Sequence, residues 1–119
     1  SLGNLVFVHK LVEAGEDPSA IRLGVFAGHY RDERDWSDEV LDGAKRRLAA
    51  WREALAQPGS MAGAEEVVAK LRAAIANDLD TPAALAAVDE WAEADRGTDE
   101  DGAAELVRTA LNSLLGVRA

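Results

Sequence analysis

The residues best suited to chemistry are few, and their spacing argues against a self-contained active site. His9 and His29 are the only histidines, they stand twenty residues apart outside any HExxH pattern, and the chain has no cysteine. Zinc requires three or four His, Cys or carboxylate ligands at constrained spacing. The two imidazoles are therefore assigned surface or structural roles, and no metal ligand is assigned. Asp32-Glu33 and Asp99-Glu100-Asp101 fall in turns before helices, while Asp78 and Asp80 flank a helix boundary. Carboxylates suit helix N-termini and solvated turns, so none of these clusters is read as a general acid–base pair. Lys45-Arg46-Arg47 offers three adjacent cations that would suit phosphate, but such a run is ordinarily a solvated helix face. His29-Tyr30-Arg31 combines donors with an aromatic face at a helix end, and is assigned to docking or capping ahead of ligand contact. No catalytic residue is assigned within this chain.

The elements that would carry these residues are helical. Residues 5–8 form a short apolar run, and 9–14 a short helix that Gly15 stops, because glycine tolerates positive φ. Asp17-Pro18 restarts a helix with Asp17 as cap and Pro18 in the first turn; Ile21, Leu23, Val25 and Phe26 give it buried faces. Ser37 is the next cap candidate. Leu41, Ala44, Leu48, Trp51 and Leu55 recur at spacings of three and four, which defines a bundle seam. Pro58-Gly59-Ser60 breaks it. Val67, Val68, Leu71, Ala74, Ile75 and Leu79 line another helix, and Asp80-Thr81-Pro82 ends it and opens the next, with Thr81 as cap. Leu85, Val88, Trp91 and Ala92 form that helix's stripe, with Trp51 and Trp91 as core anchors. After Arg96-Gly97, Thr98 with Asp101 gives a weak capping box. Ala103, Leu106, Val107, Ala110, Leu111 and Leu114 complete the last stripe before Gly116.

The composition agrees with packed helices. Hydrophobic residues make up 48% of the 119, but aromatics only 5%, and alanine is the best helix former while β-rich chains lean on β-branched and aromatic residues. No segment is apolar for long enough to span a membrane. Twenty-two acids against 13 bases give a net charge of −9, which opposes a nucleic-acid role, since phosphate binding requires a basic footprint.

Three phrases, in order, carry a family resemblance. Ser1-Leu2-Gly3-Asn4 resembles the end of the KMSKS loop of class I aminoacyl-tRNA synthetases. Asp17-Pro18, Ile21-Arg22 and Ala27-Gly28-His29-Tyr30-Arg31 resemble the cysteinyl-tRNA synthetase branch, where a helix with the same Asp-Pro start and internal Arg ends in a similar Ala-His-Tyr-Arg phrase. Asn77-Asp78-Leu79-Asp80-Thr81-Pro82-Ala83-Ala84-Leu85 continues the match. Together these phrases cover most of the chain; the segments near 57–63 and 94–102 contribute nothing. Within the branch, residues 77–92 are closer to the cysteine ligase of mycothiol biosynthesis than to synthetases, which tend to carry an Asp-Phe-Asn-Thr-Pro phrase there. The ending LNSLLGVRA also fits the ligase, whereas a synthetase usually continues into a basic anticodon-reading domain.

The resemblance implies an all-α fold. Residues 1–31 would hold the end of the KMSKS-type loop and a small helical connective unit, and residues 32–119 an antiparallel helical bundle. It implies a cytoplasmic, membrane-free parent enzyme that activates cysteine with ATP as cysteinyl-adenylate and transfers it to the amine of glucosaminyl-inositol. Zinc would hold the cysteine thiol, and an HIGH-type motif with the loop lysines would handle ATP, all in a missing N-terminal catalytic domain. Of the ATP-handling loop this chain keeps only Ser1, the one candidate cofactor-binding residue, so the chain alone is expected to be inactive. Two other readings stand beside this one. The first is the matching part of a cysteinyl-tRNA synthetase, with tRNA as acceptor; the second is a free-standing helical interaction module.

Overall fold

Alanine-rich, apolar stripes at helical spacing leave little choice of secondary structure, and a computed structural model bears this out. It describes residues 9–27, 38–57, 59–77, 80–94 and 102–119, and every regular element among them is helical. A short helical turn at 9–13 leads into α1 (Pro18–Ala27), α2 (Asp38–Ala56), α3 (Met61–Ala76), α4 (Thr81–Glu93) and α5 (Ala103–Ala110), which runs on into a π-helical turn at Leu111–Leu115.

The ends of these helices follow from particular side chains. Gly15 adopts φ 80°. Its amide bonds the Val12 carbonyl and the Glu16 amide bonds that of Leu11, the paired closure of a Schellman motif, which requires a left-handed residue at this point. Asp17 caps α1 by accepting the Ser19 amide at 2.9 Å. Ser60 caps α3 by accepting the Gly63 amide at 3.1 Å. At α4 the expected cap moves by one residue: Asp80, not Thr81, accepts the Ala83 amide, and Pro82 sits second in the helix. Thr81 is drawn elsewhere. Its hydroxyl donates to the Phe26 carbonyl at 3.3 Å, supplying a partner at the C-terminal end of α1. The expected caps at Ser37 and at Thr98 with Asp101 lie outside the described residues, as does Leu79. α5 opens on Gly102 in a left-handed conformation with no side-chain cap.

α1 packs on α2 and α4; α3 packs on α4 and α5; α2 reaches α4 and α5 across the middle. The Asp80 amide bonds the Ala74 carbonyl, which ties the start of α4 to the end of α3. One core joins all five helices. Leu23, Leu71, Leu85, Val88, Val107, Leu111 and Val117 are fully buried in it around Trp51. The seam Leu41, Ala44, Leu48, Trp51 and Leu55 is buried throughout, as its spacing predicts. Burying a side chain of this class contributes about 1.5–3 kcal/mol. Trp91, Ala92, Leu106 and Leu114 are half-buried against the cluster. Val25 departs from expectation: it is 39% exposed and lines a surface groove beside Pro18 and Phe26.

Candidate functional site

Three polar ties hold α1 and the C-terminal tail on the bundle, and together they form the most elaborate polar arrangement among the described residues. Arg52, on α2, donates through Nη2 to Asp17 Oδ2 and to the Arg118 carbonyl, both at 2.9 Å. Ser19 is buried, and its hydroxyl accepts the Arg118 amide at 2.8 Å, which satisfies a polar group that would otherwise be costly to bury. Arg108 Nε donates to the Ala119 carbonyl at 3.3 Å and its guanidinium pairs with Glu105. Val117, fully buried, plugs the tail between these ties. The tail leaves the bundle through Gly116 at φ 67°, where a side chain would overlap the Arg22 guanidinium. Burial pushes the Asp17 carboxyl up, but the hydrogen bonds from Arg52 and the Ser19 amide, with the Arg52 charge, outweigh it. The group lies below its ordinary value.

A second cluster joins α2 to α4. The Trp51 indole N–H donates to Asp89 Oδ1 at 2.8 Å, and Arg47 reaches Asp89 Oδ2 through Nε at 3.1 Å and Nη2 at 3.0 Å. Asp89 escapes sequence reading; the available signal is that Arg47 stands one helical turn before Trp51, on the same face. Lys45 pairs with Glu16 at 2.8 Å. That hydrogen bond is the main reason the Lys45 ammonium lies above its ordinary value, with further support from the Glu16 and Asp42 charges. Two members of the Lys45-Arg46-Arg47 run thus act as ties between elements rather than as a free phosphate-binding row.

Both clusters are ion-paired, hydrogen-bonded networks. Each carboxylate is held by an arginine, and neither cluster contains a nucleophile set beside a base. His9 is exposed and pairs with Glu13 at 3.0 Å, one turn along its helix. Among the described residues no group of three or more His, Cys, Asp or Glu could hold a metal ion. Together with the absence of cysteine, this donor set does not fit zinc. Ser1, His29-Tyr30-Arg31, Asp32-Glu33, Asp78 and Asp99-Glu100-Asp101 lie outside the described residues. Among the described residues, no helix is long and apolar enough to cross a membrane.

Concave surfaces also lie among the described residues. Between α3 and α4, a cleft of about 310 Å³ is walled by Val67, Lys70, Glu90 and Trp91. Lys70 bonds Glu66 at 3.3 Å and lies 3.9 Å from Glu90, so its ammonium is already paired within the cleft. On the outer side of α1, a groove of about 370 Å³ is formed by Val12, Pro18, Ile21, Arg22, Val25 and Phe26.

No family model matches the chain. Curated relatives match nearly all of it. A protein of Corynebacterium aurimucosum named L-cysteine:1D-myo-inositol 2-amino-2-deoxy-alpha-D-glucopyranoside ligase is 62% identical over 120 residues, covering 99% of this chain and 29% of that protein. Proteins of the same name from Corynebacterium efficiens and Saccharomonospora viridis are 52% and 57% identical, over 31% and 29% of their lengths. The chain thus spans less than a third of the relatives it matches, and the resemblance to the ligase branch is borne out.

Proposed function

We propose that this chain, a relative of those cysteine:amino-sugar ligases along nearly its whole length, is the C-terminal helical part of such a ligase. The observation that carries the reading is the shared ligase name on relatives 52–62% identical over at least 98% of the chain. The net charge of −9 supports it, because an acceptor made of a sugar and an inositol needs no phosphate-gripping surface.

The reaction proposed for the whole enzyme has two steps. The cysteine carboxylate attacks the α-phosphorus of ATP, forming cysteinyl-adenylate and expelling pyrophosphate. The amine of glucosaminyl-inositol then attacks the acyl carbon; the new amide forms as the acyl–oxygen bond to AMP breaks, and the amine gives up a proton. Stabilising the departing pyrophosphate is electrostatic work for preorganised cations, which the proposal assigns to residues outside this chain. ATP and zinc sites are assigned there too, since the donors described here do not fit a metal. This chain's own contribution is positional. Its helices hold the segment that ends the ATP-handling loop, beginning at Ser1, against the rest of a cytoplasmic enzyme.

The test compares acceptors on the full-length protein supplied with ATP and cysteine. AMP release and amide formation are expected with glucosaminyl-inositol, and none with tRNA. Cysteinylation of tRNA with the amino sugar inert would replace the ligase reading with a synthetase one.

A further inference from the structure

The outer face of α1 is where exposed large hydrophobic side chains gather. Val12 is 59% exposed and Val25 39%, and among the described residues no other large hydrophobic side chain is comparably exposed. Both line the same groove, with Pro18, Ile21 and Phe26 completing an apolar floor. The opposite face of α1 is already spent on α2 and α4. Arg22 stands at the rim beside the Gly116 backbone, with no ion-pair partner among the described residues. An apolar groove edged by a guanidinium fits a protein surface that offers an apolar plug and a neighbouring carboxylate or carbonyl.

We propose that this groove docks the remainder of the longer ligase chain, which covers it in the intact enzyme; the inference rests on the functional reading above. Two arguments choose this occupant. The matched relatives have some 70% of their length outside the aligned part, so a large covalently linked surface is available at high effective concentration. A second copy of this chain is disfavoured by charge. Each copy carries a net charge of −9, so two copies repel one another, and net charge this far from zero keeps a protein monomeric.

The 119-residue chain has no cysteine, so Val25→Cys and Val12→Cys each give it a single thiol at an already exposed position. Ala73→Cys serves as control: it is exposed on α3, which does not pack on α1. Maleimide labelling is followed by peptide mass, which reads the introduced site whatever other cysteines the full-length protein contains. Both groove thiols are expected to label quickly in the 119-residue chain and at least about tenfold more slowly in the full-length protein, as at a water-excluding interface, with Ala73→Cys unchanged. Equal rates in the two contexts would overturn the proposal. So would slowing at all three positions alike, or a concentration-dependent slowing in the short chain, which would mark a second copy as the occupant. Labelling requires no turnover, so failure here leaves the ligase assignment to its own acceptor assay.

Discussion

Trp51 shows how much one side chain is asked to do. Its ring is fully buried where α2 meets the other helices, and its indole N–H is satisfied by Asp89. Trp51→Ala empties that volume and is expected to cost about 3–5 kcal/mol; an unchanged denaturant midpoint would contradict the placement. Asp89→Ala leaves the ring in place but strips a buried donor of its acceptor, an expected cost of about 1–3 kcal/mol. Asp17 is a different case, tested by pH. Its carboxyl titrates below the ordinary 3.8 in the folded chain, so the unfolded chain binds the proton more readily. The stabilisation is complete above pH 3.8 and is lost as pH falls through the lower folded value. Asp17→Asn keeps a competent cap while removing the charge. The variant is therefore expected to be less stable than the parent sequence near neutrality, and the gap should close below pH 3.8. A gap independent of pH would show that the Arg52 pairing is not its source.

At the scale of elements, the C-terminal tail depends on a left-handed residue. Gly116 bonds its amide to the Asn112 carbonyl, and the next amide, of Val117, reaches back to Leu111. That long reach belongs to the π-wound turn before it, and it delivers Val117 to the core. Gly116→Ala is expected to cost about 1–2 kcal/mol, the penalty for an L side chain at such φ. The Arg22 overlap is a separate, cheaper matter, because a guanidinium can swing aside. Arg22→Ala combined with Gly116→Ala should therefore keep most of the loss; full recovery would mean that crowding, not backbone conformation, was responsible. Sequence reading goes as far as local rules go. The Gly15 stop and the 41–55 seam are legible because glycine conformation and helical period act within one element. The shift of the α4 cap from Thr81 to Asp80 is not, because both residue types cap well and the choice is made by the Phe26 carbonyl, 55 residues away. The exposure of Val25, the Ser19–Arg118 tie and the Trp51–Asp89 pair are equally illegible: each is decided by which element arrives opposite. For the site, the sequence offers no hint of the Arg52 hub.

For the molecule as a whole, the question is what the 119-residue chain does by itself. Five helices share one core that reaches from α1 to Val117, so the 119-residue chain is expected to unfold in one cooperative transition. The described residues present no metal-capable cluster, the chain has no cysteine, and its 13 bases are outnumbered by 22 acids. Activating a carboxylate with ATP requires cations focused on pyrophosphate in a preorganised site, while here Lys45, Arg47, Arg52 and Arg108 are committed to carboxylates or carbonyls of the chain itself. The purified chain is therefore expected to show no cysteine-dependent exchange of label between pyrophosphate and ATP, even when circular dichroism shows it fully helical. The full-length protein, assayed alongside, should exchange. Exchange by the short chain above a heat-denatured blank would mean that it houses an adenylate-forming site of its own, and would overturn both the division of labour proposed here and the assignment of ATP handling to residues outside it.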